Sequence, residues 1–249
     1  MILNERHYAH LKAASLNPNI WHGNSPARWF SWIQHHKDVN YSPYLASRAL
    51  PDQKVSRADL FAIVEDSNVD TLSCCISILA WGGMNRKYGA EALSMYYNWI
   101  HVAEDIRKGL LDRGQAYEKF ASLREKSLIR GMGPAYFTKL IFFLSPNTLQ
   151  RGFIMDQWTS TSVNLLFDRK IIETQLQKTR QKNGKVKLSE FVTDKNTKEN
   201  YLNFCKCVEL IATRLSKDPA TIEEMLFSEG KGKINWRKYV VDQRSFEYK

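Results

Sequence analysis

The fold of this chain is decided by residues 123–158, which read LREKSLIRGMGPAYFTKLIFFLSPNTLQRGFIMDQW. They predict a helix, a tight turn from Gly131 to Gly133, a second helix opened by Pro134, a loop and the acid Asp156. The two glycines permit a left-handed backbone and a close approach of other atoms. Pro134 suits the first position of a helix, because its missing N–H needs no partner there. The turn therefore presents backbone N–H groups and a positive helix end, which bind phosphate without reading base sequence.

Helical patterns continue on both sides of this stretch. Ser56, followed three residues later by Asp59, resembles a capping box with the shorter acid. Apolar residues at spacings of three and four predict a central helix from about Val69 to Trp81, and Gly82 and Gly83 end it. Further helices are predicted through residues 88–99, 102–110, 117–123, 204–215 and 219–226. We therefore expect an all-α protein.

The chain divides into three parts by composition. Residues 1–55 are rich in aromatic residues without a sustained period, and we expect them to pack onto the core. Residues 56–167 form the predicted helical core, with the hairpin at 123–144 and the acid. Residues 168–249 contain a basic stretch and C-terminal helices that complete the fold. Within them, Lys178 to Lys187 is predicted either to clamp DNA or to be a solvated loop.

Charge and hydropathy narrow the choice of partner. A net charge of +10 and a pI of about 9.4 favour a polyanion such as nucleic acid. The longest apolar runs fall far short of the roughly 20 residues that a membrane helix needs. No secretory signal pattern opens the sequence. We expect a cytoplasmic protein with no membrane association.

Cysteine and histidine spacing argues against a metal site. Neither cysteine pair has the two-residue gap of zinc knuckles, so we expect reduced, buried thiols at Cys74, Cys75, Cys205 and Cys207. Adjacent histidines point to different sides of a helix, so we expect surface or loop side chains at His7, His10, His22, His35 and His36. The sequence implies no metal and no cofactor.

Three features resemble one family of enzymes: the helix end ISILAWGG at 76–83, the hairpin IRGMGPA at 129–135 and the pattern IMDQW at 154–158. Together they resemble the helix-hairpin-helix, Gly/Pro-rich, Asp-containing superfamily of DNA glycosylases. Within it they are similar to the 8-oxoguanine glycosylase-like branch. The resemblance covers roughly residues 56–167 and implies two helical lobes that flank a DNA-binding cleft.

The resemblance assigns roles to particular residues. Asp156 corresponds to the acid that stabilises the cation-like sugar and orients the nucleophile. Its alternative role is purely structural, as a helix N-cap. The turn after the central helix corresponds to the base-flipping wedge, here Met84 and Asn85, whose alternative is an ordinary exposed turn. We assign contacts to the DNA backbone to Arg86 and Lys87, and phosphate binding at the hairpin to Gly131, Gly133, Ala135 and Lys139.

The sequence departs from the family at one catalytic position. Lysine-using members carry their amine two positions after the second hairpin glycine, where it forms a Schiff base. Ala135 stands there in this chain, which predicts a monofunctional enzyme that activates water. Lys139 lies one helical turn later and is either a nucleophile that reaches back, a phosphate contact or a solvated side chain. The cysteine quartet of iron-sulfur members is absent as well.

The sequence therefore predicts a monomeric glycosylase that flips a base out of duplex DNA and cuts its N-glycosidic bond. Two substrate classes stay open, an 8-oxoguanine-like purine and a hypermodified pyrimidine of phage DNA, the second implying a bacterial defence role. Aromatic residues near the N-terminus either line a base pocket or belong to the core, among them Trp21, Trp29, Phe30 and Trp32. The alternative function is a non-catalytic DNA-binding module that uses the same hairpin.

Overall fold

A computed structural model describes residues 1–14, 21–35, 49–146, 151–180, 184, 186–227 and 235–247. The chain forms two compact units. The terminal unit comprises Met1–Asn19 and Phe153–Lys249, and the central unit comprises Ile20–Gly152. The three-part division drawn from composition stays a prediction.

Helices make up nearly all of the regular structure in the described residues. In chain order they are α1 Glu5–Ala13, α2 Pro26–Gln34, α3 Arg57–Glu65, α4 Thr71–Trp81, α5 Arg86–Ser94, α6 Ile100–Arg107, α7 Arg113–Glu125, α8 Pro134–Leu144, α9 Gln157–Leu166, α10 Lys198–Leu215, α11 Pro219–Phe227 and α12 Trp236–Glu247. A 3₁₀ turn, Tyr96–Asn98, separates α5 from α6. The all-α class is confirmed.

Side-chain caps fix where the helices of the central unit begin. The capping box at Ser56 is present, since the Asp59 amide donates to Ser56 Oγ at 3.2 Å and the Ser56 amide donates to Asp59 Oδ2 at 2.8 Å. Asp70 caps α4, its Oδ1 accepting from the Ser73 amide at 3.0 Å. Because Asp70 takes the cap position, α4 begins at Thr71 and not at Val69.

The single helix predicted through residues 88–99 is wrong. α5 ends at Ser94, and the chain turns before α6 begins at Ile100. The buried indole of Trp99 donates its N–H to the Ala92 carbonyl at 2.9 Å. Two turns of a continuous helix would hold these residues about 10 Å apart along the axis, so the indole hydrogen bond requires the break.

α4 is the central helix of its unit, as predicted. Every residue from Leu72 to Trp81 is buried, and α2, α3, α6 and α8 pack around it. Arg107, at the end of α6, holds the turn that leads from α3 into α4. Its guanidinium donates to the carbonyls of Val64, Asp66 and Val69 at 2.6–3.0 Å.

The terminal unit contains α1, α9 to α12 and an antiparallel hairpin. The hairpin strands are β1 Thr174–Arg180 and β2 Val186–Val192, and the register pairs Thr174 with Val192 and Arg180 with Val186. A loop was one interpretation of the basic stretch from Lys178 to Lys187, and it is wrong for residues 178–180 and 186–187, which belong to the strands. Residues 181–183 and 185 of that stretch lie outside the described residues. β1 is almost entirely polar, so it shows no apolar alternation, and its pairing with β2 supplies the order.

The structure also bears on the predictions about the cysteines and about membrane-spanning helices. All four cysteines are free and buried, which confirms the packing interpretation. Burial raises the pKa of the Cys74 thiol to about 11 and that of Cys207 to about 12. In the part of the chain that the structure describes, no helix is both long and apolar enough to cross a bilayer.

Candidate active site

The hairpin turn packs closely against α5. Gly131 has a φ of +71°, and a Cβ atom placed there would lie 2.2 Å from the Tyr88 carbonyl oxygen. The positive φ and the short distance to Tyr88 both restrict position 131 to glycine. Gly133 is different, because it is extended with a φ of −79° and serves as the N-cap of α8. The expectation of left-handed backbone at both glycines is therefore correct only for Gly131.

The start of α8 offers backbone donors. Pro134 occupies the first helical position, as predicted. The Gly133 carbonyl accepts from the amides of Tyr136 and Phe137 at 2.9 and 3.1 Å. No described residue accepts a hydrogen bond from the amides of Gly133 and Ala135. The side chain of Arg130, beside them in the chain, is exposed. These groups form an electropositive end suited to a phosphate.

Lys139 is buried in the central unit, with only 6% of the residue exposed. Its Nζ donates to the Ala135 carbonyl at 2.6 Å and lies 5.5 Å from the Tyr136 ring centre. A Cβ atom on Gly82 would lie 2.7 Å from Lys139 Cδ, so the lysine stem fills the space that this glycine leaves. The interpretation of Lys139 as a solvated side chain is therefore wrong. Its amine does reach back by one helical turn, to the carbonyl of Ala135.

Asp156 is the N-cap of α9, so this structural role is confirmed. The residue is 7% exposed. Its Oδ1 accepts from the amides of Trp158 and Thr159 at 2.9 and 3.1 Å. Its own amide donates to Thr159 Oγ1 at 3.0 Å, which completes a capping box. No described residue donates to Oδ2. One carboxylate oxygen is therefore fixed and the other stays open to a ligand.

The backbone that leads into Asp156 is also fixed. Phe153, Ile154 and Met155 are buried. The Phe153 carbonyl accepts from Tyr201 Oη at 3.1 Å, and the Ile154 carbonyl accepts from Thr159 Oγ1 at 2.8 Å. A carboxylate on so rigid a support keeps its orientation without reorganisation during a reaction.

The two residues predicted as a wedge differ in exposure. Met84 is 2% exposed, and its carbonyl accepts from Trp29 Nε1 at 2.7 Å. Asn85 is exposed and caps α5, its Oδ1 accepting from the Lys87 amide at 2.8 Å and the Tyr88 amide at 3.3 Å. The geometry thus favours Asn85 over the buried methionine as the group that could enter DNA.

Arg86 and Lys87 lie on the surface next to Asn85. The guanidinium carbon of Arg86 lies 3.9 Å from the centre of the Trp32 ring, and Trp32 is 43% exposed. Stacking occupies the face of the guanidinium and leaves its in-plane N–H groups available to a phosphate. Sequence reasoning placed Arg86 here but missed its aromatic partner.

The N-terminal aromatic residues split between core and surface. Trp29 and Phe30 are buried, whereas Trp21 and Trp32 are 44% and 43% exposed. Trp21 Nε1 donates to the Trp81 carbonyl at 3.0 Å, at the end of α4. In the same N-terminal part, residues 15–20 and 36–48 lie outside the described residues.

The histidines that the structure describes show no grouping suited to a metal. Among the described residues, no three His, Cys, Asp or Glu side chains are placed to hold an ion. His22 and His35 are exposed, and His36 lies outside the described part of the chain. His7 is buried, and its Nδ1 lies 2.8 Å from Tyr239 Oη, so the surface interpretation is wrong there. Burial lowers the pKa of His7 below its ordinary value.

Sequence reasoning missed α12 and its contact with α9. The Arg237 guanidinium carbon lies 4.2 Å from the ring centre of Trp158, the second residue after Asp156. Trp236 and Val240, four residues apart and both buried, were the available signal. Their short pattern is bounded by polar residues, which hides it in the sequence.

The chain was compared with known protein families. The family model described as "Putative 8-oxoguanine DNA glycosylase OGG-like protein" matches residues 21–227. The chain belongs to this family. No curated protein and no solved structure matches the chain. The resemblance drawn from the three motifs is thereby confirmed, and this OGG-like chain has a DNA glycosylase-like function with DNA as its partner.

Proposed function

We propose that this OGG-like chain hydrolyses the N-glycosidic bond of a modified nucleotide in duplex DNA, with Asp156 as the catalytic carboxylate. The proposal rests on the different surroundings of the two oxygen atoms of that carboxylate. Oδ1 is held by two backbone amides, while Oδ2 has no hydrogen bond from a described residue. An N-cap alone needs only one oxygen.

The chemistry follows from that arrangement. The bond between C1′ and the base breaks, the bonding electrons leave with the base, and positive charge develops on the sugar. A fixed carboxylate stabilises this charge best where water is scarce. Water then adds to C1′ and gives up a proton, for which Oδ2 is the proposed acceptor. The departing base takes up one proton, so that one water molecule in total is added across the broken bond. The products are a free base and an abasic site.

DNA binding is assigned to groups of the central unit. The amides of Gly133 and Ala135, from which no described residue accepts a hydrogen bond, suit one phosphate. Arg86 and Lys87 suit the backbone beside the base that leaves the stack, and the exposed Asn85 suits the gap. These contacts read no sequence, so affinity should fall steeply with salt, each neutralised phosphate adding about 0.9 to the log-log slope. A flat response to salt would count against a DNA role.

Water, and not a lysine, is the proposed nucleophile. Ala135 lacks an amine, and the Lys139 ammonium is engaged with the Ala135 carbonyl at 2.6 Å. A nucleophilic amine must be uncharged and free to move to C1′. Borohydride added during turnover should therefore trap no covalent adduct of protein and DNA. An adduct that disappears in Lys139→Ala would instead establish Lys139 as the nucleophile.

The substrate proposal keeps two classes. Oxidised purine follows from the family, whereas a hypermodified pyrimidine, and with it a defence role against phage, would use the exposed Trp21 and Trp32 for stacking. The test compares free base released from an 8-oxoguanine duplex with that from phage DNA containing glucosylated hydroxymethylcytosine. Release from neither, with salt-sensitive binding retained, would favour the non-catalytic DNA-binding module.

A further inference from the structure

Both ends of the chain lie outside the residues that the family model matches, and both pack on α9. Trp236 Nε1 of α12 donates to Ser162 Oγ of α9 at 2.9 Å. At the other end of α9, the Leu166 carbonyl accepts from the Asn4 amide at 2.7 Å. The two ends also meet, since the His10 ring stacks on Tyr239 at 4.0 Å. The helix that Asp156 caps is thus held by segments on both sides of the range that the family model matches.

Arg237 of α12 contacts Trp158, the second residue after Asp156. Its guanidinium carbon lies 4.2 Å from the Trp158 ring centre and 5.2 Å from the Phe227 ring centre. Its Nη2 donates to the Phe227 carbonyl. A guanidinium that lies over two rings and donates to a carbonyl has little freedom. Arg237 therefore fixes the Trp158 ring from one side.

Trp158 is in turn linked to the carboxylate. Its backbone amide is one of the two donors to Asp156 Oδ1, at 2.9 Å. With the amide of Gln157 oriented to suit both neighbours, that side chain accepts from Trp158 Nε1 at 2.9 Å and donates to the Glu190 carbonyl of β2. The first turn of α9 is thus fixed at its side chains by α12 and β2, and a shift of Trp158 would move a donor to Oδ1.

We propose that Arg237 is a positioning residue for Asp156 and that it acts through Trp158. This inference rests on the proposed function of Asp156. Because a displacement of about 1 Å at a catalytic group can cost up to about a hundredfold in rate, loss of the Arg237 stack should slow base release without weakening DNA binding.

The test compares Arg237→Ala with Arg214→Ala in the full chain. Arg214 is a matched control, because it also lies over an aromatic ring, Tyr8 at 4.5 Å, but its stack and its ion pair with Glu5 are both with α1. Two quantities are measured: the hydrogen exchange rate of the Trp158 and Thr159 amides, and the single-turnover rate of base release. Duplex affinity and its salt slope are measured on the same samples.

Arg237→Ala should speed exchange at both amides and slow base release by about tenfold, whereas Arg214→Ala should change neither. The salt slope should stay the same. Unchanged exchange in Arg237→Ala would overturn the proposal. A salt slope reduced by about 1 would also overturn it, because Arg237 would then bind phosphate directly.

A second pair of variants tests the route through Trp158. In Trp158→Ala the arginine has lost its partner, so adding Arg237→Ala should cost no further rate. In Trp158→Phe an aromatic ring remains, so adding Arg237→Ala should still slow base release. An equal loss in the Trp158→Ala background would refute the route, and if that variant fails to fold, the exchange comparison decides. Hydrogen exchange can be measured without turnover. If Arg237→Ala speeds exchange while the native chain releases no base, the proposed function is refuted but the contact of Arg237 with Trp158 is not.

Discussion

Replacing Gly131 by alanine should destabilise the central unit by an amount set by two separable terms. The first is backbone strain, because φ at Gly131 is +71° and a left-handed conformation costs an L-residue about 1–2 kcal/mol. The second is steric, because the new Cβ would lie 2.2 Å from the Tyr88 carbonyl oxygen and 2.9 Å from Tyr88 Cα. Relief of such a backbone overlap requires the hairpin to move, at a cost of about 1–3 kcal/mol.

Gly83 supplies a matched control in the same unit. Its φ is +68°, but no atom lies within 4 Å of the position that a Cβ would take. Gly83→Ala should therefore cost only the strain, about 1–2 kcal/mol, and Gly131→Ala about 2–5 kcal/mol. Urea unfolding of each variant measures both values. Equal losses of unfolding free energy would refute the close approach of the hairpin to α5, and with it the stated reason for this glycine.

Three further predictions concern stability and reactivity. Arg107→Ala removes four hydrogen bonds to carbonyls at the end of α3 and in the turn before α4, so chemical denaturation should show a loss of about 2–4 kcal/mol, against less than about 1 kcal/mol for the exposed Arg214→Ala. For His7, burial lowers the pKa, the neighbouring Arg6 lowers it further and Asp168 opposes them. The unfolded chain therefore binds the proton more readily, so the contribution of His7 to the unfolding free energy should fall as pH drops below about 6.5 and be level above it; a His7→Gln variant with the same pH dependence as the native chain would contradict this. Burial raises the pKa of Cys75 and brings that of Cys74 to about 11, so native protein at pH 8 should resist alkylation by iodoacetamide at both thiols, and rapid labelling would contradict their burial.

Local signals in the sequence were sufficient to locate the main parts of the candidate site. The cap at Ser56, the end of α4 at Trp81 and the start of α8 at Pro134 each depend on a few adjacent residues. The N-cap role of Asp156 follows from the same kind of pattern. Interactions within about four residues are visible in a linear sequence, so these features could be predicted.

Contacts between distant residues could not be predicted in this way. Trp99 breaks a helical pattern by bonding back to Ala92. Lysine usually lies at the surface, yet Lys139 is buried where Gly82 leaves space. Arg237 meets Trp158 across 79 positions of sequence. Each depends on tertiary packing, which overrides local propensity and leaves no periodic signature.

Asp156→Asn is the most direct test of the central claim. Asparagine caps a helix as well as aspartate does, so the variant should keep the hydrogen bonds to Trp158 and Thr159, the thermal midpoint and the affinity for duplex DNA. It removes the charge that stabilises the cation-like sugar, so single-turnover base release should fall by about 10² or more. Release at the native rate by this folded, DNA-binding variant would contradict the account.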